Sequence, residues 1–147
     1  MFKHLLVPLD GGELSERAAT VSLDLARQLG ASVTGFIAEP PPPLPNMATN
    51  MALYNRDAEA HQLESEAHAQ AVLNRFAERA AAAGVPFRAH FVTVAAVDDA
   101  IIAAAHEHGC DLIVMVTHGR GAFGELLFGS HTKTVIARSK LPVLVLH

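Results

Sequence analysis

Residues 112–130 read LIVMVTHGRGAFGELLFGS and are the most informative part of the chain. It opens with five apolar residues, which is typical of a strand buried on both faces of a parallel sheet. Gly119 follows in a predicted loop, and the pair Gly129-Ser130 comes after nine more residues. Glycine lets the main chain approach a ligand closely, and a hydroxyl residue that opens a helix presents free N–H groups to an anion. We therefore predict an α/β fold with an anion site beyond this strand.

Apolar strand patterns and helical patterns alternate along the whole chain. The predicted strands cover residues 5–9, 31–37, 87–93, 112–116 and 142–146, and the predicted helices cover residues 14–29, 57–83, 97–108 and 130–138. The first helix is expected to bury the face that carries Leu14, Ala18, Val21, Leu25 and Leu29. Parallel strands need helical crossovers, so this order predicts one domain over residues 1–147. Its core is a doubly wound, five-stranded parallel sheet with helices on both faces.

The composition excludes several classes of protein. Half of the 147 residues are hydrophobic and 18% are charged, which indicates a compact domain and not a disordered chain. A net charge of −4 argues against a general nucleic-acid binder. The sequence has neither a signal-peptide pattern nor an apolar run of roughly 18 residues. We therefore expect a cytoplasmic protein that contacts neither nucleic acid nor membrane.

The cysteine and histidine pattern does not indicate a metal centre. Cys110 has no second thiol with which to form a disulfide or a structural metal site. His106 and His108 lie on different faces of one predicted helix, and His61 and His68 are two turns apart on another. We expect no metal site formed by the protein alone. Because neither a nucleophile elbow nor a Walker-type phosphate loop is present, we assign no catalytic residue.

Residues 39–55 are predicted to form a long loop, because a run of four prolines begins at Pro40. Met47 and Met51 lie in this segment. Two interpretations stay open for them: an apolar lid over a bound base, or an ordinary surface loop.

Taken together and in order, several segments resemble the universal stress protein family. They are residues 6–10 (LVPLD), 111–115 (DLIVM), 117–121 (THGRG), 129–130 (GS) and 142–145 (PVLV). The resemblance runs from about residue 2 to residue 146 and implies a five-stranded doubly wound domain that is usually homodimeric. Its nucleotide-binding members carry Gly, two residues, Gly, nine residues, Gly, and then Ser or Thr. Here those positions are Val116, Gly119, Gly129 and Ser130.

The resemblance implies a site for an adenine nucleotide, ATP or AMP, with or without Mg²⁺ on the phosphates near Asp10. Asp10 would accept ribose hydroxyls or help to hold the cation, and the main chain of Ile37 would meet the adenine edge. The implied nucleotide-binding residues are Pro8, Leu9, Asp10, Ile37, Val116, His118, Gly119, Arg120, Gly129, Ser130, His131 and Thr132. Simpler roles stay open: Asp10 as a helix cap, Gly129-Ser130 as an ordinary helix start, and His118 as a residue that only hydrogen-bonds the loop.

Val116 departs from the family pattern, which has glycine there. Its two methyl groups project into space that glycine leaves open, and a β-branched residue does not readily take a positive φ. Such a mismatch costs about 1–3 kcal/mol, or roughly one to two decades in affinity. The leading hypothesis is a stress-response protein that binds ATP as a sensor or regulator and hydrolyses it slowly, if at all. The alternative is an interaction protein of the same family whose nucleotide site Val116 closes. A third option is a small nucleotide hydrolase or transferase.

The last predicted strand, residues 142–146, is expected to mediate a homodimer. It begins with Pro142, which suits an edge position, and its apolar run would be a hazard if left unpaired. Pairing with a second copy about a two-fold axis removes that hazard. No segment of the sequence identifies a further protein partner.

Overall fold

The computed structural model describes residues 1–117 and 130–147. Within them, strands and helices alternate in the order β1 (His4–Pro8), α1 (Glu13–Leu29), β2 (Ser32–Glu39), α2 (Met51–Ala83), β3 (Phe87–Thr93), α3 (Val97–Glu107), β4 (Leu112–Val116), α4 (Ser130–Arg138) and β5 (Val143–Leu146). Four of the predicted site residues, namely His118, Gly119, Arg120 and Gly129, lie outside the described residues.

The strands form one parallel sheet in the order β3-β2-β1-β4-β5, which confirms the doubly wound prediction. The central strand β1 pairs with β2 on one side, where Leu5 is opposite Val33, and with β4 on the other, where Leu5 is opposite Leu112. The chain adds strands outward from β1 to β3 and then returns to place β4 against β1. The switch point, where such sheets bind ligands, therefore lies at the carboxyl ends of β1 and β4.

Each face of the sheet is covered by its own hydrophobic cluster. Leu5, Val7 and Val114 pack with residues of α1 and α2 on one face. Leu6 and Ile113 pack with residues of α3 and α4 on the other. This alternation explains why the strands are apolar throughout, since side chains on both faces are buried.

Helix α1 buries a different face from the predicted one. Its buried residues are Ser15, Ala18, Ala19, Ser22, Leu23 and Ala26. Of the predicted face, only Ala18 is fully buried, and Leu29 is 38% exposed. The helix packs on the sheet through small residues and Leu23, and the predicted Leu14, Val21 and Leu25 are only partly buried. A prediction from hydrophobicity alone therefore chose the wrong face of α1.

Helix α2 begins at Met51, earlier than predicted, so the preceding loop is shorter than residues 39–55. The reason is a local cap: the side-chain oxygen of Asn50 accepts hydrogen bonds from Ala52 N–H at 3.1 Å and Leu53 N–H at 3.2 Å. Strand β2 also extends to Glu39, because Glu39 pairs with Thr93 of β3. Across residues 1–117 and 130–147, no helix has the length and apolar character needed to cross a membrane.

Candidate functional site

A cavity of about 330 Å³ lies at the switch point of the sheet. Its volume is at the lower end of the range of about 300–1,000 Å³ that is typical of small-molecule sites. The cavity is lined by Pro8, Leu9, Asp10, Leu14, Ser15, Ala18, Phe36, Ala38, Pro40, Val97, Ile101, Met115, Val116, Thr117, His131 and Thr132. These residues come from β1, α1, β2, α3, β4 and α4 and the loops beside them. The cavity walls therefore belong to elements on both faces of the sheet.

Asp10 is fixed at the cavity mouth by a hydrogen-bond network. Its Oδ1 accepts from Gly12 N–H at 2.8 Å and from the Ser15 hydroxyl at 2.8 Å. The Ser15 oxygen in turn accepts from the N–H groups of Asp10 at 2.9 Å and Gly11 at 3.0 Å. One buried hydroxyl therefore sets both the loop conformation and the direction of the carboxylate. The contact with Gly12 closes a turn and is not the helix cap that the sequence left open for Asp10, since the N-cap residue of α1 is Gly12 and has no side-chain cap.

Gly11 keeps this loop against helix α2. It has a φ of +86°, and a Cβ atom there would lie 2.4 Å from His68 Nε2 and 2.8 Å from Val72 Cγ2. The same His68 nitrogen lies 3.2 Å from the carbonyl oxygen of Asp10. Only glycine meets both the conformational and the steric requirement. The segment that carries Asp10 is thus anchored to α2 as well as to α1.

Strand β2 presents Ala38, and not Ile37, to the cavity. The carbonyl of Phe36 accepts from Leu9 N–H, and the carbonyl of Glu39 accepts from Val94 N–H. Main-chain groups alternate in direction along a parallel strand, so Ile37 faces β3 and Ala38 faces the β1 side. The last paired residues of β1 and β2 are Pro8 and Phe36, so Ala38 lies beyond the end of β1. The side chain of Ile37 is buried in the hydrophobic cluster that α1 and α2 cover.

The end of β4 forms another wall. Val116 lines the cavity as a strand residue paired with Leu146. Thr117, which is 3% exposed, donates its N–H to the Leu146 carbonyl at 2.9 Å. Val116 has a negative φ, as every described residue other than glycine does. It therefore forms part of the cavity wall as an ordinary strand residue.

Among the described elements, three helices begin at the cavity. Leu14 and Ser15 belong to the first turn of α1, Val97 opens α3, and His131 and Thr132 belong to the first turn of α4. Helix N-termini carry free N–H groups and a partial positive charge. In α4, His131 Nδ1 also contacts Asp98 Oδ1 of α3, which joins two of these helix ends. The remaining walls are largely apolar, so the arrangement suits a ligand with an apolar ring system and an anionic group.

Comparison with known proteins identifies the family of this chain. A model of the universal stress protein family matches residues 1–147. The Thermus aquaticus protein described as "Universal stress protein in QAH/OAS sulfhydrylase 3'region" is 33% identical over 147 residues, which cover 99% of this chain and 98% of that protein. This chain belongs to the universal stress protein family.

Solved structures agree with the fold of this family member. The universal stress protein UspA from Lactobacillus plantarum has a TM-score of 0.81 at 19% identity, covering 99% of this chain and 98% of that one. A universal stress protein in complex with cAMP has a TM-score of 0.70 at 26% identity, covering 99% of this chain and 97% of that one.

The cavity of this family member collects half of the residues that the sequence predicted for the site. Those that line it are Pro8, Leu9, Asp10, Val116, His131 and Thr132. Ser130 opens α4 as predicted and is exposed, but it does not line the cavity. Ile37 is held elsewhere, as described above.

Sequence reasoning missed two residues that shape the site, Ser15 and Ala38. For Ser15 a signal was available, because a hydroxyl residue in the first turn of a helix, shortly after Asp-Gly-Gly, can bond back to that turn. For Ala38 no signal was available, because the direction of its main chain depends on the register between β1 and β2.

Proposed function

We propose that this universal stress protein binds an adenine nucleotide, and specifically ATP, in the cavity at the switch point. The observation that carries the proposal is the combination of an apolar slot with three helix N-termini at the carboxyl ends of β1 and β4. A related protein at 26% identity has been solved in complex with cAMP, which supports the choice of an adenine nucleotide. Bound nucleotide would contact helices on both faces of the sheet. Occupancy of the cavity would then be the signal that a sensor or regulator needs.

Particular groups fit the parts of a nucleotide. The main-chain N–H and C=O of Ala38, beyond the end of β1, match the donor and acceptor pattern of an adenine edge. The helix N-termini that include Ser15 and Thr132 suit phosphate oxygens. Asp10 is the only carboxylate among the described lining residues. It would contact ribose hydroxyls or a phosphate-bound Mg²⁺, which supplies charge neutralisation when ATP carries it.

We assign no catalytic residue to the cavity. Any hydrolysis of ATP is expected to be slow and incidental to binding. A role as a small hydrolase or transferase would be favoured only if nucleotide product accumulated with the native protein and disappeared in Asp10→Ala.

The proposed functional unit is a homodimer formed through β5. Val143–Leu146 is the outer strand of the sheet on its β4 side, and all four of its residues are partly exposed. The carbonyls of Pro142 and Leu146 accept from Ile113 and Thr117, so even-numbered residues face β4. Val143 and Val145 consequently direct their main-chain groups outward, where a second copy can pair with them.

The competing proposal is an interaction protein whose site Val116 closes. Calorimetric titration with ATP and AMP, in the presence of Mg²⁺, distinguishes the two in native protein and in Val116→Gly. We expect micromolar binding by the native protein and about ten- to hundredfold tighter binding by the variant, because the valine methyls crowd the cavity. Binding by Val116→Gly alone would mean that the interaction-protein function replaces the one proposed here.

A further inference from the structure

A cluster of metal-ligating side chains lies away from the nucleotide cavity. His90 is in the edge strand β3, Glu107 is the last residue of α3, and His108 caps that helix. One potential ligand atom from each residue lies within 4.8 Å of the others. The cavity is at the N-terminus of α3 and this cluster is at its C-terminus. A metal ion bound by this cluster would therefore be independent of the proposed nucleotide function.

The two imidazoles are held in place by the surrounding fold. His90 is opposite Phe36 in the β2–β3 register, and their rings stack with centroids 5.6 Å apart. The ring of His108 meets that of His90 edge-on at 4.7 Å. The chain on either side of His108 is fixed, because His108 N–H donates to the Ala104 carbonyl at 3.0 Å and Cys110 N–H donates to Ala105 at 2.8 Å. Preorganised ligands of this kind reduce the ordering that metal binding requires.

His108 has an uncommitted ring nitrogen. Within residues 1–117 and 130–147, its buried Nε2 has no hydrogen-bond partner. Burying such a group without a partner is unfavourable, so an unpaired buried nitrogen calls for an explanation. A neutral imidazole binds a metal ion through such a nitrogen.

We propose that His90, Glu107 and His108 bind a divalent transition-metal ion of the Zn²⁺, Co²⁺ and Ni²⁺ class. Two imidazoles and one carboxylate are a donor set that such ions prefer over Ca²⁺ or Mg²⁺. With metal–ligand bonds of about 2.0–2.2 Å, the ligand atoms must come to roughly 3.5 Å of one another. Glu107 is exposed, so its side chain can rotate toward the two histidine rings. A fourth position would remain open to water.

One nearby positive charge opposes the binding of a metal cation by these three residues. Arg88 is two residues before His90 in β3, so both side chains project from the same face of the strand. The positive charge of Arg88 repels a metal cation. Replacing this arginine by a neutral side chain is therefore expected to tighten metal binding, whereas it would have no such effect on metal bound elsewhere.

The test is a calorimetric titration of untagged full-length protein with Zn²⁺, together with the visible absorption of bound Co²⁺, in the absence of nucleotide. We expect one Zn²⁺ per chain, weakened about tenfold or more in His90→Ala and in Glu107→Ala. Because Glu107 is exposed, its variant is expected to fold even if substitution of a histidine disturbs the packing. Arg88→Gln should bind more tightly than native protein.

His106→Ala is the matched control, since His106 is exposed, lies on the same helix and is not in the cluster. It should bind Zn²⁺ as the native protein does. The proposal is overturned if native protein takes up no stoichiometric Zn²⁺, or if His106→Ala loses as much affinity as Glu107→Ala.

Discussion

At the scale of single residues, the conformation of the Asp10 loop depends on one hydroxyl. Ser15 is 6% exposed and hydrogen-bonds the carboxylate of Asp10 and two main-chain N–H groups. Ser22, in the same helix, is fully buried, but its hydroxyl has no hydrogen-bond partner within the described part of the chain. Two serines of similar burial therefore have opposite energetic roles.

Ser15→Ala is expected to reduce the free energy of unfolding by about 1–3 kcal/mol, because it removes three partly buried hydrogen bonds. It should also weaken ATP binding, since the Asp10 carboxylate loses its support. Ser22→Ala is the matched control and should be nearly neutral or slightly stabilising. Urea denaturation of the three proteins measures the difference. Equal losses in the two variants would show that the network around Asp10 contributes no particular stability.

The lowered pKa of His4 predicts how the free energy of unfolding depends on pH. Burial, and then the charge of Arg88, lower its pKa from the ordinary value of 6.5, outweighing the opposing effect of Asp111. As the pH falls through 6.5, the unfolded chain therefore takes up a proton before the folded chain does. The free energy of unfolding should decrease on acidification from about pH 7 to pH 5. His108, whose pKa is also lowered, contributes with the same sign.

The measurement for His4 is the denaturation midpoint as a function of pH. His4→Gln should show a shallower decrease than native protein, because one of the two contributing histidines is gone. A slope that is unchanged or steeper in this variant would contradict the assignment. The ring of His4 also hydrogen-bonds Thr34 Oγ1 at 2.7 Å, so stability at neutral pH should be compared separately.

Cys110 shows how a residue's environment limits its chemistry. Burial raises the pKa of its thiol to about 11. The thiol is therefore protonated at neutral pH and unsuited to act as a nucleophile.

At the scale of elements, the sequence predicted the strands better than the helix faces. Strands such as Leu112–Val116 are buried on both sides, so their apolar runs are unambiguous. The buried face of α1 was predicted wrongly, because close packing on the sheet selects small residues that hydrophobicity ranks low. The start of α2 was missed, because it depends on the side-chain cap formed by Asn50.

Val145→Pro tests the role of the edge strand β5. The main-chain N–H of Val145 faces away from β4, so proline removes a donor for a second copy without removing a bond to β4. We expect native protein to be dimeric and Val145→Pro to be monomeric by analytical ultracentrifugation. Val145→Thr keeps the N–H and the β-branched shape, so it should remain dimeric. A dimer that persists in the proline variant would place the interface elsewhere.

At the scale of the whole molecule, the two ends of α3 serve different proposed sites. Val97 at its first turn lines the cavity, and Glu107 and His108 at its other end belong to the proposed metal site. The sequence pointed to the switch point because the loops there follow strand ends in order along the chain. It gave no indication of the proposed metal site, because His90 comes from a strand and meets the end of α3 only through the tertiary fold.

The cavity residues show the same difference between what the family resemblance implies and what the tertiary fold decides. The resemblance implied Asp10 and Thr132, and both line the cavity. Whether Ile37 or Ala38 faces the cavity depends on the register between β1 and β2. The interpretation of Val116 also needed the structure, which shows it as a cavity wall with strand geometry.

The most direct test of the account is ATP binding to native protein and to Ala38→Phe, measured by calorimetry with Mg²⁺. Ala38 lines the cavity, so a phenyl ring there fills space that the base requires. Ala89→Phe, at an exposed position of the neighbouring strand β3, is the matched control. We predict micromolar binding by native protein and Ala89→Phe, and binding at least about tenfold weaker in Ala38→Phe. Absence of binding to native protein, or equal binding by all three proteins, would contradict the account.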